Sequence, residues 1–183
     1  LSFSDAELVR EIRAGSSVAF EQLMRRHERL VFKVAYGFTG DTDSAMDVTQ
    51  NTFLKVHSRL ASWRREGDLK NWIARIAANE AMNWNRARQR RPMATLDEEA
   101  FLQPDPSPET RAGDRETREA LARALACLNP RKRLAVVLRY FQGMSTREIS
   151  AALECSEGTA RNLLFRSLGK LRGVLATTTE VLP

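Results

Sequence analysis

A run of arginine, tryptophan and asparagine residues between positions 63 and 91 has the chemistry of a surface that binds single-stranded nucleic acid. On such a surface the cations follow the phosphate backbone, while planar groups and pockets take the unstacked bases. Trp72 lies on the apolar face of its predicted helix and is expected in the core. For the polar members, an ordinary solvated helix face is the alternative interpretation. The run consists of Trp63, Arg64, Arg65, Trp72, Arg75, Asn79, Asn83, Trp84, Arg86, Arg88, Arg90 and Arg91.

A second candidate site lies near the C-terminal end, where two helices are predicted with only residues 154–156 between them. This spacing is typical of a helix-turn-helix, whose second helix enters the major groove and meets base edges with its early residues. Arginine pairs with guanine, asparagine with adenine, and an aromatic ring presses on a thymine methyl. Ser156 is placed to cap the second helix, whose free N–H groups suit a phosphate. A solvated amphipathic helix is the alternative. The outward face offers Arg161, Asn162, Phe165 and Arg166.

Helical spacing of apolar residues dominates the chain before residue 91, and no segment alternates with the period of a strand. Ser4 and Glu7 form a capping-box pattern that begins a first helix, and Gly15 ends it. We therefore predict an all-α fold. Three further helices in this part are predicted at about Ser17–Phe38, Ser44–Arg59 and Leu69–Arg88.

Two domains are predicted because a segment that resists helix formation divides the chain. Residues 92–112 hold four of the six prolines, and they carry five Asp/Glu against one Lys/Arg. We therefore predict two helical domains, residues 1–91 and 113–183, joined by a flexible, acidic, Pro-rich linker over residues 92–112. The second domain is predicted to contain helices at about Asp114–Cys127, Arg131–Phe141, Ser145–Leu153 and Glu157–Leu175.

The charge distribution favours a polyanionic partner. The net charge is +6 and the isoelectric point about 9.9. Residues 1–91 carry 16 Lys/Arg against 11 Asp/Glu, and residues 113–183 carry 12 against 7. No apolar run is long enough to span a bilayer, and residues 1–15 show no signal-peptide pattern. We therefore expect a cytoplasmic protein that does not insert into a membrane.

Patterns typical of enzymes and metal sites are missing from the sequence. It contains no P-loop, dinucleotide-binding motif or nucleophile elbow, and His27 and His57 are its only histidines. Cys127 and Cys155 are too few for a disulfide framework and lack metal-ligand spacing. We expect no catalysis, no small-molecule substrate, no metal and no cofactor.

Four stretches, in order along the chain, carry a resemblance to a known family. Residues 19–24, 47–56 and 69–79 resemble regions 2.1, 2.2 and 2.3–2.4 of extracytoplasmic-function (group IV) RNA polymerase sigma factors. Residues 128–134, together with 148–159, resemble region 4 of the same factors. The resemblance implies a sigma factor that binds core RNA polymerase and directs promoter-specific transcription initiation.

The resemblance assigns one role to each domain. Residues 1–91 correspond to region 2, which binds core polymerase and recognises and melts the minus-ten element; residues 113–183 correspond to region 4, which reads the minus-thirty-five element in duplex DNA. The implied minus-ten residues are Arg64, Arg65, Lys70, Arg75, Asn79, Asn83, Arg86 and Arg88.

Two further sets of site residues follow from the resemblance. The implied minus-thirty-five contacts come from the early part of the last helix and its cap, and the implied core-polymerase contacts come from region 2.2. The first set is Ser156, Thr159, Arg161, Asn162, Phe165, Arg166 and Lys170, and the second is Asp47, Gln50, Asn51, Leu54 and Lys55.

The resemblance also implies how the strand is captured and how the factor is controlled. The loop over residues 62–68 is expected to take a flipped base of the melted minus-ten strand, which lowers the cost of unpairing. An anti-sigma protein, membrane-tethered in many such systems, is expected to wedge between the two domains. The factor is then held at the inner membrane when inactive and is associated with the nucleoid when active.

Three positions depart from the family pattern. Glu154 stands where members usually have Gly, so a positive φ there costs about 1 kcal/mol. Leu163 and Leu168 replace residues that are commonly basic, which argues against phosphate contacts there and raises the possibility of an apolar partner surface. A stand-alone helix-turn-helix transcriptional regulator is the alternative function. It explains residues 114–175 but not the arginine-rich run before residue 91, and it should bind duplex DNA without polymerase.

Overall fold

The computed structural model describes residues 3–63, 68–90 and 120–179, and this part of the chain is helical without a strand. The all-α prediction is confirmed, and the predicted helix ends differ from the observed ones by about a turn or less. The predicted linker lies outside the described residues, as do the first residues of the helix predicted from Asp114. The helices before it are α1 Asp5–Arg13, α2 Ser17–Thr39, α3 Thr42–Arg59, a one-turn 3-10 helix Leu60–Ser62, and α4 Leu69–Arg90. Those after it are α5 (helical over 120–126), α6 Pro130–Gln142, α7 Thr146–Ala152 and α8 Glu157–Thr179.

Side-chain caps explain why several of these helices begin where they do. Ser4 Oγ accepts from Glu7 N at 3.3 Å, and Glu7 Oε2 accepts from Ser4 N at 2.7 Å, so the predicted capping box is confirmed. Ser145 and Glu148 form the same box at α7. Hydrogen bonds from Ser145, side chain and backbone, lower the pKa of Glu148 because they stabilise its charged form.

The first domain, α1 to α4, packs around α2. The three-to-four spacing of α3 predicts that Ala45, Val48, Thr52, Phe53 and Val56 face inward, and all five are buried in the core of this domain. Trp72 and Trp84 are half-buried and pack against this core. The largest fully buried side chains of the domain include Leu23, Val34, Phe38, Leu60 and Ile73.

The second domain, α5 to α8, is organised by α6, which is buried along most of one face. Arg133 in α6 is only 8% exposed, and its guanidinium donates to the carbonyl oxygens of Leu125 at 2.9 Å and Ala126 at 2.8 Å. Burial lowers the pKa of this guanidinium because desolvation disfavours the charged form. A small apolar cluster of Ala124, Leu125, Leu128, Val136 and Leu171 joins α5 and α6 to α8.

The two domains pack against each other, and a single apolar cluster runs from the first into the second. α6 lies on α2 so closely that a Cβ on Gly37 would stand 3.0 Å from Val137 Cγ2. Arg133 Nη1 donates to Phe38 O across this contact at 2.8 Å. α7 lies on α4, where Asn71 Nδ2 donates to Glu148 Oε1. We call this the packed arrangement; the sequence patterns gave no indication of it.

Candidate functional site

The turn between α7 and α8 has the geometry of a helix-turn-helix with a left-handed residue at its centre. Glu154 has φ +50°, the conformation expected to cost about 1 kcal/mol for a residue with a side chain. Arg131 Nη2, from α6, donates to Leu153 O at 2.7 Å and to Glu154 O at 3.4 Å. The turn therefore has support from α6 that the sequence analysis did not identify, because arginine at position 131 belongs to a different helix.

The start of α8 is capped from the turn. Ser156 Oγ accepts from Thr159 N at 3.1 Å and lies 2.9 Å from Thr159 Oγ1. This cap satisfies one of the orphan N–H groups of the first turn and leaves others directed outward, which suits an anionic group. Ser156 and Thr159 are both exposed, so the sequence prediction places them at a surface that a phosphate can reach.

One face of α8 is turned to solvent and the opposite face is buried. Ala160, Ser167 and Leu171 lie inside. The predicted base-reading residues all lie outside, and the Phe165 ring is 78% exposed. The face consists of Arg161, Asn162, Phe165 and Arg166.

Three further positions on α8 have neighbours that clarify their roles. Leu163 is partly buried and packs against the core, which gives its departure from a basic residue a structural reason. Leu168 is half-buried. The ammonium group of Lys170 donates to Cys127 O. This predicted minus-thirty-five residue is therefore bonded to the end of α5 within the second domain.

The predicted minus-ten residues that are described lie along α4, and several line two cavities between the domains. Arg75 lines a cavity of about 380 Å³ whose opposite wall includes Met144, Glu148 and Ala152. Asn79, Asn83 and Arg86 line a second cavity of about 460 Å³, opposite Arg131 and Glu154.

The remaining members of the predicted minus-ten set are not gathered at these cavities. Lys70 is exposed at the start of α4. Arg88 lies over the Trp84 ring at 5.4 Å, a cation–π contact. Arg64 and Arg65 lie outside the described residues.

The sequence predicted Trp63 as part of a surface that binds single-stranded nucleic acid, but the structure buries most of this residue. The 3-10 turn that follows α3 folds the residue inward, and its side chain is only 8% exposed. Its edge still contributes to the 380 Å³ cavity, together with Ser62, Asp68, Asn71 and Trp72. Ser62 belongs to the segment 62–68 that was expected to take a flipped base, whereas Asn71 was not among the predicted site residues.

A wide apolar groove of about 970 Å³ lies between α2 and α3, on a different side from the interdomain cavities. Met46 and Leu54 are more than half exposed there. Asp47, Gln50 and Leu54, three of the five predicted polymerase-binding residues, line this groove. The apolar lining was largely missed because these side chains were assigned to the core or to no role; it consists of Phe20, Met24, Phe32, Met46, Phe53 and Leu54.

The other two predicted polymerase-binding residues are placed differently. Asn51 is exposed on α3 outside the residues that line the groove. Lys55 points toward α4, where its Nζ lies 2.5 Å from Glu80 Oε1 and lines the 460 Å³ cavity. Glu80 is almost fully buried, so the lysine neutralises a carboxylate that would otherwise be costly to bury. This ion pair gives Lys55 a structural reason to be present.

Two broader properties of the described residues bear on the site. Within residues 3–63, 68–90 and 120–179, no cluster of His, Cys, Asp and Glu is arranged to hold a metal ion. None of the helices in the same ranges combines the length and the apolar character needed to cross a membrane.

Comparisons with known proteins point to one family across both domains. The model of Sigma-70 region 2 matches residues 23–91, and the model of Sigma-70, region 4 matches residues 118–171. The RNA polymerase sigma-H factor of Pseudomonas aeruginosa is 30% identical over 172 residues, which cover 89% of each chain. The ECF RNA polymerase sigma-E factor of Salmonella typhimurium is 31% identical over 173 residues, which cover 90% of each chain.

A solved structure shares the fold. The sigma factor RpoE of Bartonella quintana, in its co-crystal structure with the anti-sigma factor NepR, superposes with a TM-score of 0.70 at 21% identity. The match covers 86% of this chain and 96% of that one.

Proposed function

The chain belongs to the extracytoplasmic-function group of sigma-70 family RNA polymerase sigma factors, and we propose that its two domains read the two promoter elements through α8 and α4. It is a sigma factor, which directs promoter-specific transcription initiation. The observation that carries the proposal is the exposed base-reading face of α8, set on a capped helix-turn-helix. The stand-alone regulator is not favoured, because the region 2 match extends through residues 23–91.

The minus-thirty-five element is read by the first turns of α8 in this proposal. Arg161, Asn162 and Arg166 are exposed on one face with Phe165 between them, and these side chains have the donors and the ring that major-groove edges require. The outward N–H groups beside Ser156 hold a backbone phosphate, which fixes the helix in the groove. Domain 113–183 is the region 4 unit.

The minus-ten strand is held along α4. Arg75, Asn79, Asn83 and Arg86 offer cations and amides on one stretch of the helix, and the adjacent 380 Å³ cavity has planar walls from Trp63 and Trp72. Cations that follow phosphates beside a pocket for an extruded base match the needs of strand capture. Domain 1–91 is the region 2 unit.

Core RNA polymerase docks in the apolar groove between α2 and α3. The groove is lined mainly by apolar side chains, together with polar residues that include Asp47 and Gln50, so it suits the apolar face of a partner helix whose rim is polar. The partner is the coiled coil of the largest polymerase subunit. Asn51 lies beside the groove and completes the contact, while Lys55 contributes through its ion pair with Glu80.

An anti-sigma protein regulates the factor in this proposal. Support comes from the Bartonella quintana relative of the same fold, whose structure is a complex with an anti-sigma factor. The packed arrangement leaves interdomain cavities into which such a partner can insert. The factor is cytoplasmic, is held near the inner membrane when its anti-sigma partner is tethered there, and joins the nucleoid when active.

Run-off transcription tests the proposed function. Bacterial core polymerase is incubated with fragments of the source genome, with and without this chain. We expect discrete new transcripts that require both proteins, and their start sites define the two promoter elements. Tight binding to duplex DNA by the chain alone, with no core-dependent transcript, would contradict the proposal.

A further inference from the structure

Arg13, the last residue of α1, reaches across the first domain to the backbone that leads into the loop after Trp63. Its Nη2 donates to the carbonyl oxygens of Leu60 at 3.2 Å and Ala61 at 3.3 Å, and also to that of Trp63. These acceptors are about 50 positions away in sequence, so the contact is a tertiary one. No sequence pattern indicated it.

The chemistry of this contact explains why an arginine stands there. The one-turn helix Leu60–Ser62 continues directly from α3, so its carbonyl groups form the C-terminal end of that helix. The last carbonyls of a helix lack intrahelical partners and carry the negative end of its dipole. A guanidinium offers a permanent charge and several donors in a fixed plane, whereas an ammonium offers a compact point charge.

The contact holds residues 60–63 on one side of residues 64–67, and the start of α4 holds residue 68 on the other. At the first end, Trp63 has extended backbone angles and a buried ring. At the second, Asp68 begins α4: its Oδ1 accepts from Lys70 N at 2.9 Å, and its carbonyl accepts from the amides of Asn71 and Trp72. Trp63 and Asp68 line the same 380 Å³ cavity, so both ends lie at its wall.

Arg13 is not needed to hold α1 on the domain. Leu8 and Val9 are buried beneath the helix. Asp5 pairs with Arg26 at 2.6 Å and contacts His27 Nε2 at 3.1 Å. Removal of the Arg13 side chain therefore affects the backbone at residues 60–63 and leaves α1 packed on the domain.

We propose that Arg13 is a positioning residue for promoter opening: it clamps the stem at residues 60–63 so that the first-domain wall of the cavity, beside α4, keeps the shape that accepts one extruded base after the second domain has moved away. The inference rests on the proposed function. The base contacts the cavity wall, and Arg13 acts only through the backbone carbonyls that it holds. Base discrimination at one minus-ten position depends on it.

Templates that are already unpaired over the minus-ten element test this proposal, with each position varied in turn on a promoter found by run-off transcription. A tenfold preference for one base corresponds to about 1.4 kcal/mol. We expect wild-type holoenzyme to prefer one base at one position by about tenfold, and Arg13→Ala to reduce this preference to below about twofold. Arg13→Lys should retain an intermediate preference. Arg10→Ala is the matched control on the same helix, because the Arg10 side chain is well exposed beside Glu11. Holoenzyme with Arg10→Ala should keep the base preference of the wild type.

Amide hydrogen exchange in the free chain provides a readout independent of transcription. Arg13→Ala should speed exchange in a peptide that spans residues 60–63, and it should not alter a peptide within α2. An intact base preference in Arg13→Ala, or a loss equal for all bases, overturns the proposal. If Arg13→Ala does not fold, Arg13→Gln takes its place, because glutamine keeps an N–H donor but lacks the charge. Arg13→Gln should show the same loss of base preference. An intact base preference in Arg13→Gln also overturns the proposal. If the wild-type chain gives no core-dependent transcript, the proposed function itself fails and this inference fails with it.

Discussion

The two surfaces that the structure offers to nucleic acid differ in what lies in front of them. On α8, the base-reading side chains face solvent, and the Phe165 ring is 78% exposed. On α4, Arg75 and Asn79 line cavities whose other wall is the second domain. Asn71 is already hydrogen-bonded to Glu148 of α7. The α8 surface proposed for duplex DNA therefore faces open solvent, whereas the α4 surface proposed for a single strand is exposed at Arg75, Asn83 and Arg86 but faces the second domain across two cavities.

This difference has a physical consequence for the order of events. In the packed arrangement α7 lies on α4, so we infer that the domains separate before a strand is captured along α4. The energy needed is that of the α2–α6 and α4–α7 contacts. We infer that polymerase binding supplies it, since the groove between α2 and α3 remains accessible in the packed arrangement.

The largest expected effect is that of a change at Arg133, because this residue joins the two domains. It donates to the carbonyls of Leu125, Ala126 and Leu128 in its own domain and to Phe38 in the other. Arg133→Ala leaves buried carbonyls without their donor, at about 1–3 kcal/mol for each unsatisfied group. We expect the free energy of unfolding to fall by about 3–5 kcal/mol in urea denaturation. Arg139→Ala, which removes one bond to Met144 O, is the control; equal losses in the two variants would contradict this account.

A pair of arginine variants tests whether the α8 surface reads bases while the α4 surface contacts the phosphate backbone. Arg166→Ala should weaken minus-thirty-five binding by about 1–3 kcal/mol and relax base choice there, because a bidentate base contact is lost. Arg86→Ala should weaken promoter binding without a change in base preference and lower the salt slope by about one. Holoenzyme binding across a salt series measures both effects. Intact base choice at the minus-thirty-five element in Arg166→Ala would remove α8 from its assigned role.

Gly37 offers a way to open the packed arrangement without touching either surface. A methyl group there would stand 3.0–3.1 Å from two carbons of the buried Val137, which overpacks the α2–α6 contact. Such overpacking costs about 1–3 kcal/mol. Gly37→Ala should therefore raise the affinity of the free chain for a minus-ten single strand by about fivefold or more, as measured by fluorescence anisotropy.

Relief of the same clash is the control for Gly37. The double variant Gly37→Ala with Val137→Ala restores room for the methyl group and should return affinity toward the wild-type value. An unchanged affinity in Gly37→Ala would mean that the packed arrangement does not limit access to α4.

The smallest expected effect concerns the turn before α8. Glu154→Gly relieves a left-handed strain of about 1 kcal/mol, partly offset by the greater entropy of the unfolded chain, so the free energy of unfolding should rise by about 0.5 kcal/mol. Promoter choice should stay the same, because Glu154 lies outside the base-reading face. Thermal unfolding and run-off transcription check the two parts; a destabilised variant would show that the strain is compensated elsewhere.

The features that the sequence predicted correctly are local ones. Helix starts at Ser4 and Ser145 follow from capping boxes, and the inward faces of α2 and α3 follow from three-to-four spacing. At Glu154 a cost of about 1 kcal/mol was expected if the turn had a positive φ, and the observed φ is +50°. These features depend on residues within a few positions of each other, so a linear pattern contains the necessary information.

The features that escaped prediction depend on residues far apart in the chain. Trp63 is buried because the one-turn helix before it directs it into the core cluster, and Lys55 turns inward because Glu80 is buried beside it. The packing of α6 on α2 joins residues about 100 positions apart, such as Phe38 and Arg133. No periodicity in a single segment reports such contacts. The clamp by Arg13 belongs to the same class.

Single-molecule fluorescence energy transfer between the two domains tests the central claim most directly. Labels are placed at the exposed Cys127 of the second domain and at Arg10→Cys in the first, with Cys155→Ser to remove the other thiol. We predict one high-transfer population in the free chain and a shift to low transfer when core polymerase is added. A free chain that already populates the low-transfer state, or a transfer efficiency that core polymerase leaves unchanged, would contradict the inference that the second domain stays packed against α4 until polymerase binds.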